Sequence, residues 1–350
     1  MIELGLIDAD DELAPALNFP SWLDSHKRPW AERDDTERTA DIRRMEIYAA
    51  MVELLDQQIG RIFDHLKAKG KLDNTYIIFM SDNGASITTP LLYPGNSREW
   101  VHQNYDLSIE NMGTPGSFTT MGRDWANNSN TPFRLFKGSM AEGGIRSPLI
   151  VAGPSLAEGA IRKMPGHVMD LTPTIFELAG VNPADDPLYE GKLLPRGASI
   201  LPIWKEDKAD DNRMLITELF GSHMVRKGRW KAVFLGGIIG NNEWELYDVV
   251  ADPSETNNLA EENPDLLDEL RSAYDKFVER NKVVSPNPLA SLSMGITYEG
   301  QCNWWCETKF GFVDILLNPL QRNLLFAGVI VLTLLGGFAF YRRRRKKRVL

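Results

Sequence analysis

Cysteine is nearly missing from this chain of 350 residues; Cys302 and Cys306 are its only two. They stand in Cys302-Asn303-Trp304-Trp305-Cys306 with no second Cys or His cluster nearby, which excludes a structural zinc site. A short disulfide in an oxidising compartment and a pair of buried thiols both stay open. A secretory leader is missing too. Residues 1–12 offer neither a basic stretch nor a long apolar run, so Met1 is expected not to be the natural start. Clustered Lys and Arg are missing from all but the tail. The net charge is −9 even though residues 342–348 are all basic, so the body is more acidic than the total suggests. That excludes nucleic acid as a partner, because phosphate binding needs grouped cations. No internal repeat is present. What remains is an ordinary globular balance, 43% hydrophobic and 25% charged, in a length that suits one large or two modest domains.

Met45, Val52, Leu55, Ile59, Ile62 and Leu66 recur at helical spacing, which predicts a helix over 41–69 closed by Gly70. After a turn at Asp73-Asn74-Thr75 comes the apolar run Tyr76-Ile77-Ile78-Phe79-Met80. It is predicted to be a strand buried on both faces of a parallel sheet. Ser81-Asp82-Asn83-Gly84 then falls at the carboxyl end of that strand, where open α/β sheets bind ligands. Residues 88–131 lack periodicity and read as a long loop region shaping a pocket entrance. A second strand is expected over 148–152. A helix is expected over 172–179, with Thr172 as N-cap, Pro173 at its first position and Gly180 closing it. Strand-like runs at 214–219, 230–235 and 243–247 predict an antiparallel sheet, and 264–281 a helix. Residues 324–341 are uncharged over roughly 18 positions, the least that spans a bilayer as a helix. With basic residues directly after it, this run is expected to be a single transmembrane helix, the tail cytoplasmic and the body periplasmic, extracytoplasmic or luminal.

Three groups carry chemistry. Asp82 and Asn83 offer a carboxylate and an amide oxygen, hard ligands suited to Ca²⁺ or Mg²⁺ rather than Zn²⁺, although Asp-Asn-Gly is also a common turn. Lys137, beside Gly138, has room to reach an anion; most lysines simply face water. Arg146, after the paired glycines Gly143 and Gly144, is expected to pair with an acidic neighbour rather than bind substrate.

Taken in order, these pieces resemble the type I sulfatase family. The residues that carry the likeness are Tyr48-Ala49-Ala50-Met51-Val52-Glu53, Ile59-Gly60-Arg61, Phe79-Met80-Ser81-Asp82-Asn83-Gly84-Ala85 and Lys137-Gly138 with Glu142-Gly143-Gly144-Ile145-Arg146-Ser147-Pro148. Farther on they are Val168-Met169-Asp170-Leu171-Thr172-Pro173-Thr174, Lys227-Gly228-Arg229-Trp230-Lys231 and Asp252-Pro253-Ser254-Glu255-Thr256-Asn257-Asn258. Ser108-Ile109-Glu110-Asn111 and Glu218-Leu219-Phe220-Gly221 point to the bacterial arylsulfatase branch.

The resemblance implies an α/β, alkaline-phosphatase-like fold, present in part, and calcium-dependent hydrolysis of sulfate esters. The expected organisation is 1–205 as the later half of the catalytic domain, 206–285 as a sheet-and-helix subdomain, 286–322 as a linker, 323–341 as the anchor and 342–350 as the tail. Asp82 and Asn83 match calcium ligands of the family, and Lys137 matches the lysine that holds the substrate sulfate. The family nucleophile is a formylglycine made within Cys/Ser-x-Pro-x-Arg, and no residue of this chain begins that pattern. His65 and His167 are expected to be structural, and His102 to line the pocket at most. The polypeptide alone is expected to be inactive. Two other readings stay beside this one: a non-catalytic, sulfatase-derived membrane protein, and a phosphodiesterase of the same superfamily. The second is disfavoured because those two-zinc enzymes usually carry Asp-His-Gly where this chain has Asp82-Asn83-Gly84.

Overall fold

The computed structural model describes residues 2–4, 13–14, 30–87, 98–208, 212–236 and 240–284. Helix α1 (Asp35–Ala68) opens on a capping box. Asp34 Oδ1 accepts from the Glu37 amide at 2.9 Å, and the Glu37 carboxylate accepts from the Asp34 amide at 3.1 Å. This cap sets the start ahead of the first apolar repeat. Gly70, at φ +62°, lies just beyond the end, where a left-handed residue costs glycine little. Only Ala40 and Asp41 of α1 are buried, while Met51, Leu54, Leu55 and Ile62 are exposed. The apolar stripe exists, but little in the described structure covers it.

The chain continues through β1 (Ile77–Met80), α2 (Arg98–Asn104), α3 (Arg123–Ser129), α4 (Glu142–Ile145) and β2 (Leu149–Ala152). β1 and β2 pair antiparallel, from Ile77 opposite Ala152 to Met80 opposite Leu149. The expected parallel pairing, buried on both faces, is therefore not found among the described strands. A short continuous apolar run carries burial preference but no strand direction. Here it lies in a two-stranded ribbon with Phe79, Leu149 and Ile150 exposed.

Then follow α5 (Leu171–Ala179) and α6 (Leu201–Glu206). α5 starts just before the expected Thr172 cap. A 3₁₀ turn at Val168–Asp170 runs straight into it, and the buried Asp170 carboxylate ties three segments together. It accepts from the amides of His167 (2.8 Å) and Ala198 (3.1 Å) and from both terminal nitrogens of Arg213 (2.8 and 2.5 Å).

Strands β3 (Met214–Leu219), β4 (Ser222–Lys227), β5 (Trp230–Phe234) and β6 (Trp244–Asp248) form an antiparallel meander in that order, and α7 (Pro264–Asn281) packs on it. Phe220 and Gly221 both have positive φ, which fits a two-residue hairpin turn between β3 and β4. The register sends Val225, Ala232 and Leu246 toward Leu270 of α7. It sends Met224, Val233 and Tyr247 to the other face, into a core with Ile87, Leu135, Phe136 and Met140. Lys231, Ala232 and Val233 are all buried because β5 is covered on both faces.

His223 belongs to the α7 side. Its ring stacks on Phe234 at 4.7 Å and on Tyr274 at 4.0 Å, with Trp244 edge-on at 4.7 Å. Burial lowers its pKa from 6.5 to about 4, against the opposing pull of a backbone bond and Asp275. A histidine depressed on folding takes up protons more readily when unfolded. Its stabilising contribution is complete above about pH 6.5 and is lost as pH falls through about 4. Urea midpoints should therefore drop across that window, and His223→Phe should flatten the drop; an unchanged profile would exclude His223 as its source.

The expected transmembrane helix and single-pass localisation are not borne out. No helix among the described residues is long and apolar enough to cross a membrane. α1 has the length, at 34 residues, but carries charge along all of it. The segment 323–341, on which that expectation rested, lies outside the described residues, as do the linker, the tail, Cys302 and Cys306.

Candidate active site

Two loops meet at the end of β1. Ser81 extends the ribbon by one bond, its amide donating to Pro148 O at 3.4 Å, and its hydroxyl donates to Asn83 O at 2.9 Å. Asp82 is exposed and Asn83 half-buried. The Gly84 amide donates to Gly144 O at 3.0 Å, and the Ala85 amide to Asn130 Oδ1 at 3.1 Å. The Asn130 amide group then donates to Leu135 O at 3.0 Å, and the Lys137 backbone amide donates to Ala85 O at 3.0 Å. The segment after the Asp82-Asn83 pair is thus clamped to the segment that carries Lys137. Ile87, Leu135, Phe136, Met140 and Ala141, all buried, anchor the clamp from below.

Three glycines make this close approach possible. A Cβ on Gly84 would lie 1.8 Å from Gly143 O. One on Gly143 would lie 2.4 Å from Arg134 O, and one on Gly144 2.2 Å from Ser139 O. The paired glycines of the sequence are there for backbone contact.

The segments bearing Asp82, Asn83 and Lys137 come together; the other candidates do not join them. Arg146 lies 4.5 Å over the Phe133 ring and 3.5 Å from Glu142 Oε2, an acidic neighbour as its sequence context indicated. His102 and His65 are exposed on α2 and α1. His167 caps the 3₁₀ turn, its Nδ1 accepting from the Met169 amide at 3.1 Å, and burial holds its pKa below the ordinary value. Asp82 and Asn83 offer the hard oxygens a calcium ion takes, but two side chains fall well short of six to eight ligands. Among the described residues no group of three or more His, Cys, Asp or Glu is placed to hold a metal.

Beneath the clamp lies a group of charges that sequence reading passed over. Lys231, with a side chain 0% exposed, sits 2.8 Å from Glu142 Oε1 and 2.8 Å from Glu255 Oε1. Glu255 Oε2 accepts from the Glu142 amide at 2.9 Å and from Arg134 Nε at 3.1 Å. Arg134 also donates to Glu245 at 2.7 Å and lies 4.9 Å over the Tyr247 ring. Burial works against charge on Arg134, but Glu255, Tyr247 and Glu245 outweigh it and hold the guanidinium firmly protonated. Burial likewise pushes the Glu142 carboxyl up, yet Lys231, Arg226 and Arg146 together hold it below the ordinary carboxylate value. Lys231 falls in the otherwise apolar strand Trp230-Lys231-Ala232-Val233-Phe234, but no local pattern says which acids meet it.

Residues 9–181 match the family model described as Sulfatase, and the chain belongs to the sulfatase family. It is 39% identical over 275 residues to an uncharacterised sulfatase of Schizosaccharomyces pombe, covering 77% of this chain and 50% of that protein. It is 34% identical over 182 residues to an arylsulfatase of Klebsiella aerogenes (51% of this chain, 37% of that protein). To a choline-sulfatase of Rhizobium meliloti it is 27% identical over 226 residues (63% and 34%). The chain spans half or less of the length of these curated relatives.

Proposed function

We propose that this chain forms one side of the active site of a calcium-dependent, arylsulfatase-type sulfuric ester hydrolase. Asp82 and Asn83 supply two ligands of the calcium ion, and Lys137 binds the sulfate group of the substrate. The bond from the Lys137 amide to Ala85 O supports this reading best, because it fixes the lysine's segment beside the oxygen pair. Calcium, when bound, would neutralise charge on the sulfuryl oxygens. The Lys137 ammonium would add a second positive charge to offset negative charge that grows as the ester bond breaks. Asn83 supplies an amide where two-zinc relatives have an imidazole, which favours a hard ion and a sulfatase over a phosphodiesterase. The nucleophile is not among these 350 residues, since none begins Cys/Ser-x-Pro-x-Arg. The polypeptide alone therefore binds sulfate without turning over an ester.

Titration of the chain with inorganic sulfate tests Lys137, and titration with calcium tests Asp82 in a version of the protein that also carries the family's remaining acidic calcium ligands. Lys137→Ala should weaken sulfate binding by about tenfold or more, roughly 1.4 kcal/mol, and leave calcium binding intact. Asp82→Ala should do the reverse. Sulfate affinity that survives Lys137→Ala would remove Lys137 from the site.

A further inference from the structure

We propose that Glu142, Lys231 and Glu255 are positioning residues for the site, coupling the four-stranded sheet to the two loops that carry Lys137 and the Asp82-Asn83 pair. This rests on the reading of Lys137 as the sulfate-binding residue.

The coupling runs through Glu142. Its side chain meets Lys231 at 2.8 Å, Arg146 at 3.5 Å and Arg226 at 3.8 Å, and its own amide is held by Glu255 at 2.9 Å. It is fixed at both ends, and it directly precedes Gly143-Gly144. Gly143 donates to Arg134 O at 2.9 Å, and Gly144 O accepts from Gly84 at 3.0 Å. A shift of Glu142 is therefore passed within two residues to the bonds holding the Asp82-Asn83 segment. Arg134, at the other end of the Lys137 segment, is tied to the same carboxylate of Glu255 at 3.1 Å.

The sheet is built to supply these partners. Arg226, Lys231 and Tyr247 lie opposite one another on β4, β5 and β6, so one row of the register faces the loops. Glu255 stands at φ +54°, a left-handed conformation that a side-chain-bearing residue rarely adopts, and its side chain is 0% exposed. Strain of this kind persists where surrounding contacts over-determine it, and such places cluster at functional sites. A hydrophobic filler of similar volume would cover the sheet equally well and often more stably. The charges add fixed directions, which a site that must hold an ammonium group in place requires.

Amide hydrogen exchange on the full chain separates positioning from bulk stability. Glu142→Gln should speed exchange at Gly84, Lys137 and Gly143 by about tenfold more than at Val225 and Ala232 in the sheet. Inorganic sulfate binding should weaken in step, and Lys231→Arg, which keeps the charge, should leave both nearly as in the parent chain. Equal acceleration in loops and sheet, or none in the loops, would overturn the proposal. If Glu142→Gln does not fold, Glu255→Gln takes its place; failure of both while Lys231→Arg folds would also overturn it, since the cluster would then support the whole body. A parent chain that binds no sulfate would sink the reading of Lys137 instead, and the exchange pattern would still decide whether the loops are positioned.

Discussion

Lys231→Met should lower the unfolding free energy by about 3–5 kcal/mol at pH 7, the usual result of removing one partner from a buried ion pair. Methionine nearly matches the lysine stem in volume, so little of the loss comes from packing. It comes from Glu142 and Glu255, each 2.8 Å from the departed ammonium and each almost fully buried. Arg146, Arg226 and Arg134 remain at 3.5, 3.8 and 3.1 Å, and they keep the loss from growing further. In the parent chain Glu142 is held below its ordinary pKa despite burial, so its contribution is present above the unfolded value and disappears as pH falls through the folded one. In the variant the largest opposing attraction is gone, so the same carboxyl rises from its depressed position in the parent chain. Protonation then relieves the variant as pH falls, and the gap between the two chains should narrow from pH 7 to pH 5. Urea unfolding followed by tryptophan fluorescence reads this directly. Adding Glu142→Gln to Lys231→Met should recover part of the loss, because one stranded charge is removed. A loss below about 1 kcal/mol at pH 7 would mean that the arginines, not Lys231, hold the carboxylates.

Local rules made much of the fold legible. The apolar spacing of α1, the Pro264 start of α7 and the β-branched and aromatic runs of β3, β5 and β6 all showed in single segments. β4 did not, because Ser222-His223-Met224-Val225-Arg226-Lys227 mixes charge into both faces. His223 stacks on Phe234 and Tyr274, and Arg226 lies 3.8 Å from Glu142; all three neighbours lie on other elements. The same limit applies to the site. Asp82, Asn83 and Lys137 were legible as residue types next to glycines, and their segments do meet. The charges beneath them were not, since Glu142, Lys231 and Glu255 lie far apart in the chain and each looks like a surface residue until the register places them together. The orientation of β1 against β2 depends likewise on where the intervening chain returns, which a four-residue apolar run does not encode.

Gly84→Ala should destabilise the clamp by about 2–4 kcal/mol, combining overpacking with at least one lost hydrogen bond. The backbone at Gly84 is not left-handed, so the obstacle is space. The new Cβ would stand 1.8 Å from Gly143 O, 2.9 Å from Gly143 C and 3.2 Å from Gly144 Cα, all backbone atoms with no rotamer to yield. Nor can Gly143 and Gly144 move aside easily, since Gly143 is itself pressed against Arg134 O and Leu135 O, and Gly144 against Ser139 O. Relief must come from opening the bond between the Gly84 amide and Gly144 O, and the neighbouring bond from Lys137 to Ala85 should loosen with it. Gly60→Ala is the control. Nothing lies within 4 Å of a Cβ there, and its place inside α1 favours alanine by about 0.5–1 kcal/mol. The two substitutions make the same chemical change and should move the urea midpoint in opposite directions. Gly84→Ala should also weaken sulfate and calcium binding together, because it separates the two segments, whereas Gly60→Ala should leave both unchanged. A Gly84→Ala chain with parental stability would show that the two loops are not held in contact by the backbone, and the shared basis for assigning Asp82, Asn83 and Lys137 to one site would be lost.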